Sequence, residues 1–281
     1  VYYLGGQSNM DGHGYVDELP EDLRGTVERV MIFTGRTGLD DDPSAGVGMW
    51  APLGPGFGTG FSTDGQTNEP GSRFGPELTF GATLADLSPD SRVALIKYSL
   101  GGSGLAAGVG FGSWDPDYRE GEGRNQYDHA LRTIQSALSQ ADIDGDGTPD
   151  RLVPAGIIWM QGEADAEHSQ EAADAYETNL RRLMNLLRSA LGDEDLPVVI
   201  GKVTDSGMAD DGSVMDYIET VQHAQARFTE TDRCARLVTI TDNLAYTAND
   251  AWHYDSEGYL RLGAAFAAAV LELQRTCPQA D

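Results

Sequence analysis

The sequence is poor in lysine, cysteine, long apolar runs and positive charge, and each shortage narrows what the chain can do. Only Lys97 and Lys202 are lysines, and 19 basic residues stand against 45 acidic ones, for a formal net charge of −26. A field of that sign repels phosphate backbones and anionic lipid surfaces, which argues against nucleic-acid and membrane-surface partners. No apolar run approaches the ~18–20 residues of a membrane span. The two cysteines, Cys234 and Cys277, match no metal spacing and leave two readings open: a disulfide tying down the last helix, or two separate thiols. The chain opens at Val1, already in strand-like sequence, so an upstream segment such as a signal peptide is expected to have been removed, with an extracellular or periplasmic location. Lysine poverty with an acidic surplus fits a salt-tolerant or extracellular protein and equally a GC-rich genome.

A 40% apolar share is enough for a substantial core across 281 residues. Short apolar runs alternate with helical patterns, which predicts a parallel sheet flanked by helices in one domain over residues 1–281. Strands are expected at Val1–Leu4, Val27–Phe33, Val93–Tyr98, Gly156–Met160, Val198–Val203 and Leu237–Thr241. Tyr127, Leu131, Ile134 and Leu138 share one helical face, as do Tyr176, Leu180, Leu183, Leu187 and Leu191, with Gly192 placed to end the second helix. A final helix is expected over 257–274, with Asp255 or Ser256 as its N-cap. Two stretches lack periodicity. Residues 40–72 carry Trp50, Phe57 and Phe61, and residues 101–125 carry Phe111, Trp114 and Tyr118. These aromatics either face a sugar-like ligand or pin their loops to the core; Trp114 is the expected ligand contact.

The chemistry concentrates at strand ends. The first strand runs into Gly5-Gly6-Gln7-Ser8-Asn9-Met10, which places Ser8 where parallel sheets present ligand-binding groups. A serine hydroxyl needs a base. Of five histidines, His129, His168 and His223 read as surface residues, and His13 lacks a carboxylate at a telling offset. Asp250 precedes His253 by three residues in the loop after the last strand, close enough in a turn to fix the imidazole tautomer. After the fourth expected strand come Gln161, Gly162, Glu163 and Asp165. Gln161 has an amide to offer an oxyanion. Glu163 and Asp165 are suited to binding substrate hydroxyls, tuning His253 or capping a helix. Gly101 and Gly102 offer further backbone donors. Apart from these, Asp142, Asp144, Asp146, Thr148 and Asp150, with Gly147 at the sixth position, begin a pattern like a calcium loop that lacks its last carboxylate, since Val153 stands there. A structural Ca2+ and a solvated acidic turn both remain open; no cofactor is expected for catalysis.

Gly6-Gln7-Ser8-Asn9-Met10, Gly75-Pro76-Glu77-Leu78, the Gly101-Gly102 turn, Trp159 to Asp165 and Asp250-x-x-His253 occur in an order that resembles one group of SGNH hydrolases, the sialate O-acetylesterases and acetylxylan esterases. The resemblance spans nearly the whole chain. It implies a three-layer α/β/α sandwich with a flavodoxin-like parallel sheet. It also implies Ser8 as nucleophile, His253 as base and Asp250 as its partner. The oxyanion hole would comprise the Ser8 N–H, a glycine N–H from Gly101–Gly102 and the Gln161 side chain. Gln7, Asn9, Glu163 and Trp114 are the expected substrate contacts. The group's namesake asparagine is replaced by Gln161. The implied substrate is an acetylated carbohydrate, with neutral polysaccharides favoured over sialylated ones by the net charge. Two alternatives remain: a lipase- or thioesterase-like hydrolase for longer acyl chains, and a non-catalytic calcium-dependent glycan-binding module.

Overall fold

Buried β-branched and aromatic runs form the centre of the molecule. In the computed structural model, which describes residues 1–89 and 91–277, seven strands make one sheet: β1 (Tyr2–Gly6), β2 (Val30–Thr34), β3 (Trp50–Pro52), β4 (Val93–Ser99), β5 (Gly156–Met160), β6 (Val198–Gly201) and β7 (Ala235–Val238). Their order is β7-β6-β5-β1-β4-β2-β3, parallel throughout except for β3, which runs antiparallel at the edge. Every residue of β1, β4, β5 and β6 is buried, as expected for strands covered on both faces. The mostly parallel sheet with helices on both sides agrees with the expected three-layer sandwich. One detail differs from the flavodoxin order 2-1-3-4-5: β4 lies between β1 and β2.

The helices are α1 (Ser8–Asp11), α2 (Glu77–Leu87), α3 (Gln126–Leu138), α4 (Glu163–His168), α5 (Gln170–Leu191), α6 (Ile218–Thr231) and α7 (Ser256–Thr276). On one face α2 packs against α7; on the other, α5 packs against α3 and α6. Alternation along β4 serves both layers: Lys97 reaches Glu77 of α2, and Tyr98 reaches Gln126 of α3. Asp255 caps α7 by accepting from the Gly258 amide at 2.7 Å. Gly192 ends α5 in the left-handed conformation, φ 79°. Cys234 and Cys277 are joined in a disulfide that ties the end of α7 to the start of β7. No helix among the described residues is long and apolar enough to cross a membrane.

The two irregular stretches are more structured than their sequence indicates. Residues 40–72 supply β3 and the Ser62–Thr63/Asn68–Glu69 ladder. Trp50 and Phe57 are buried, so they pin this segment to the core rather than facing a ligand. His129 is also buried, against the expectation of a solvated helix face, because residues 38–46 lie over α3. Its Nε2 stands 3.3 Å from the Leu39 carbonyl, and Arg132 donates to the Pro43 and Ala45 carbonyls. The terminal strand ends earlier than expected and passes into a 3-10 turn, Ile240–Asn243.

Candidate active site

Chain direction reverses its side of the sheet at β1: connections to β2 and β4 lie on one side, and those to β5, β6 and β7 on the other. Ligands gather beyond the carboxyl ends of strands at such a switch. There β1 delivers Gln7 and Ser8, β4 delivers Gly101, and β5 delivers Gln161 to Asp165. Gly6 is required by close approach, because a Cβ on it would lie 1.9 Å from the Met160 carbonyl oxygen. The chain then turns into α1, leaving the Ser8 amide at a helix N-terminus, where backbone N–H groups favour negative charge.

Ser8 is 9% exposed, and its hydroxyl makes no hydrogen bond among the described residues. A Cβ built on Gly101 would lie 3.5 Å from Ser8 Cβ, so Gly101 is the glycine of the pair that flanks Ser8. Gly102, at φ +66°, lies instead beneath the Phe111 ring. Gln161, expected as a third oxyanion donor, is committed elsewhere: its Nε2 donates to the Ser103 carbonyl at 3.1 Å and to Asp165 Oδ2 at 2.6 Å. With both amide hydrogens engaged, this side chain braces the site rather than lining it.

Asp250 and His253 are brought together by a tight loop. Asn249 adopts φ 64°, uncommon for a residue with a side chain, and the Thr247 and Asp250 backbones close the turn. Asp250 Oδ2 lies 2.7 Å from His253 Nδ1, and Oδ1 accepts from the Trp252 and His253 amides at 2.9 and 3.2 Å. Burial works to raise the Asp250 carboxyl, but the bonds from His253 and Trp252 outweigh it and hold the carboxyl below its ordinary range. The aspartate is therefore held ionised, a state suited to fixing the ring and balancing an imidazolium.

Two contacts lock this loop to the segment carrying Ser8. Asn9 Nδ2 donates to the Trp252 carbonyl at 3.0 Å, and the His13 ring stacks on His253, with centroids 3.6 Å apart and planes 4° from parallel. His13, Asp250 and His253 also place nitrogen and oxygen atoms within 4.8 Å of one another. Parallel rings, however, keep their in-plane lone pairs from converging on a single ion.

The expected substrate contacts are instead buried supports. Gln7 Oε1 accepts from the Gly162 and Ala164 amides at 3.3 Å, joining the ends of β1 and β5. Asn9 Nδ2 also donates to Glu163 Oε1 at 2.8 Å, while Asn9 Oδ1 accepts from the Tyr259 hydroxyl at 2.7 Å. Glu163 is buried, which raises its carboxyl above the usual range. Trp114 is 1% exposed, donates to Ser103 Oγ at 2.8 Å and meets Trp159 edge-on, so it has no face free for a sugar. Asp165 does not cap a helix: its carboxylate accepts from the Leu105 and Ala106 amides, tying residues 101–125 to β5. Burial lifts that carboxyl to about 6 against those bonds.

Sequence reading missed the contributions of His13, Lys97 and Trp252 and did not single out Phe111 from the other loop aromatics. His13 has no local signature for its stack on His253. Lys97 is fully buried and donates to Asp11 O at 2.7 Å, Phe57 O at 2.8 Å and Glu77 Oε2 at 2.8 Å, so the Gly75–Glu77 block holds the end of α1 in place. Phe111, at 76% exposure, and Trp252, at 37%, are the large exposed aromatics among the described residues. One covers Gly102 and the other adjoins His253.

The acidic loop lies at the opposite edge of the sheet. Asp144 and Asp150 line a cleft of about 980 Å³ together with Val1, Tyr2 and Val93, at the amino ends of the strands. The size of that cleft therefore does not mark the catalytic centre. Carboxylate oxygens of Asp142, Asp144 and Asp146 lie within 4.8 Å of one another, a metal-binding arrangement in outline. Arg92 ion-pairs with Asp144 and Asp146, Asp146 Oδ1 accepts from the Thr148 amide, and Asp150 Oδ2 accepts from the Ile143 amide.

No curated protein matches the chain. Among solved structures it is similar to a protein from Arabidopsis thaliana at 18% identity and TM-score 0.65, covering 98% of each chain. It is similar to NanS at 16% identity and TM-score 0.61, also covering 98% of each. It is also similar to a carbohydrate acetylesterase from Xanthomonas citri at 15% identity and TM-score 0.63, where 98% of this chain spans 56% of that one. At these identities the likeness shows the shared fold. The family model described as carbohydrate esterase, sialic acid-specific acetylesterase matches residues 1–272, and the chain belongs to that family of ester hydrolases.

Proposed function

We propose that one esterase domain, spanning the described chain, removes O-acetyl groups from carbohydrate hydroxyls through an acyl-enzyme on Ser8. The observation that carries this reading is the Asp250–His253 pair at 2.7 Å, clamped by Asn9 and His13 to the turn bearing Ser8. In this scheme Ser8 Oγ attacks the ester carbonyl while His253 takes its proton, and Asp250 stabilises the imidazolium. The Ser8 and Gly101 amides, which donate to no group among the described residues, receive the developing oxyanion. His253 returns the proton to the departing sugar oxygen. Water, activated by the same imidazole, then releases acetate and restores the Ser8 hydroxyl. No step draws on a metal.

Phe111 and Trp252 are the residues proposed to face the sugar, since aromatic faces suit the apolar faces of pyranose rings. The net charge of −26 favours a neutral acetylated saccharide over a sialylated one, an effect weakened by salt. An extracellular or periplasmic setting is proposed from the Cys234–Cys277 bridge, because disulfides persist in oxidising compartments. The deciding experiment compares wild type with Ser8→Ala on p-nitrophenyl acetate. Turnover is expected to fall about 10³-fold or more. A variant close to wild type refutes the assignment. Acetate release from acetylated xylan, acetylated pectin and O-acetyl sialic acid then identifies the sugar, and an acetyl-versus-octanoyl comparison sets the acyl length.

A further inference from the structure

We propose that His13 is a positioning residue: its imidazole, stacked on His253, fixes the plane of the general base and so its orientation for taking the Ser8 proton. The inference rests on the esterase reading above and concerns how its base is held.

A single hydrogen bond leaves the His253 ring free to swing. The Asp250 contact at 2.7 Å fixes where Nδ1 sits, but the imidazole can still rock about that line. A base must lie within hydrogen-bond reach of the proton it takes, and a displacement of ~1 Å costs up to about 10²-fold in rate. A flat surface against the ring removes that freedom. His13 supplies one, at a 3.6 Å centroid separation and 4° between planes.

The surface is itself anchored. The His13 carbonyl accepts from Arg73 Nη1 at 2.5 Å, and the Arg73 guanidinium lies 3.4 Å over the Tyr15 ring. Gly14 and Tyr15 pair with Arg73 and Phe74 in a short antiparallel ladder just after His13. Gly12, just before it, packs so closely on Gly75 that a Cβ would lie 2.1 Å from Gly75 Cα. His13 therefore sits between two fixed points on the segment that carries Ser8. The stack joins nucleophile and base through the protein's own frame.

Charge favours the same role. The groups facing His13 are His253, Arg73 and Asp250. Burial, together with the fields of His253 and Arg73, lowers the His13 imidazole to about 4, with Asp250 opposing. At neutral pH His13 is thus uncharged, and when His253 takes the serine proton the imidazolium meets a neutral π-face instead of a second cation.

The test uses the full chain with His13→Ala and His13→Phe. Alanine removes the surface, whereas phenylalanine keeps a flat ring that cannot titrate. His13→Ala should lower kcat on p-nitrophenyl acetate about 10- to 100-fold with KM within about twofold, and His13→Phe should recover most of that loss. In NMR spectra the His253 ring protons should be shifted upfield by the stacked ring in wild type and His13→Phe, and should move downfield in His13→Ala. Wild-type kcat in a folded His13→Ala, no recovery in His13→Phe, or unshifted His253 protons in the wild type would each overturn the proposal. If His13→Ala does not fold, the wild-type spectrum and the His13→Phe rate decide. The spectra need no turnover, so failure of the Ser8→Ala test and failure of this one are distinguishable.

Discussion

Replacing Asn9 with alanine removes one buried side chain that holds three elements at once: Glu163 at 2.8 Å, the Trp252 carbonyl at 3.0 Å and the Tyr259 hydroxyl at 2.7 Å. Each partner left without a bond costs about 1–3 kcal/mol when buried. The Trp252 carbonyl is only partly buried and can take water, so the sum sits near ~3–4 kcal/mol. Against a total of ~5–15 kcal/mol the protein should still fold. Its melting temperature should drop by on the order of 10 °C. The loss carries a pH signature. Burial raises the Glu163 carboxyl above its ordinary 4.5, and the Asn9 bond heads the effects that oppose this. A carboxyl raised on folding contributes stability that is fullest below its unfolded value and is lost as pH rises through its folded value. Without Asn9 the folded value rises further, so the variant loses more than wild type as the group ionises. Denaturant unfolding of both proteins should therefore show a penalty that grows from pH 5 to pH 8. A penalty below ~1 kcal/mol, or one that is equal or smaller at pH 8, refutes the reasoning.

Further outcomes follow from the same geometry. Phe111→Ala and Trp252→Ala should raise KM for an acetylated oligosaccharide several-fold while leaving p-nitrophenyl acetate almost unaffected; equal effects on both substrates would remove these residues from the sugar site. Reducing the Cys234–Cys277 bridge, which closes a loop of sequence separation 43, should cost ~4 kcal/mol by the chain-entropy model, read by denaturant unfolding. Turnover per folded molecule should stay unchanged, because the bridge lies at the end of α7 remote from Ser8. Treatment with EDTA should leave turnover intact, since the acidic loop lies at the amino ends of the strands. Loss of activity on chelation would place a metal in the reaction.

Much of the framework could be read directly from the chain, because β5 is a continuous apolar run and β1 and β4 are largely so, with Lys97 the buried charged exception in β4. The Asp250–His253 contact depends on a three-residue offset, which a single turn can satisfy. The edge strand Trp50–Pro52 was missed because three antiparallel residues carry no period. The partners of Gln7, Asn9, Glu163 and Gln161 were illegible for a different reason. Sequence shows donors and acceptors at a strand end but not which of them pair with one another, as Gln161 does with Asp165 and Asn9 with Glu163. Trp114 and Phe111 stand three residues apart in one irregular segment, and only tertiary packing decides that the tryptophan turns inward and the phenylalanine outward. The His13 stack joins residues with no shared local pattern.

The turn bearing Ser8 directly follows β1, whereas the proposed base, His253, lies in the loop just before α7. During synthesis Ser8 is thus made well before His253 and the Asp250 beside it, which follow nearly every other described element. On the proposed mechanism, a chain that ends before this loop has a serine with no base and should not turn over an ester. Activity by this mechanism should then require the last helix to have docked beside α2, with the central strands in register. Turnover of a simple acetyl ester should therefore report how much of the population has folded to completion.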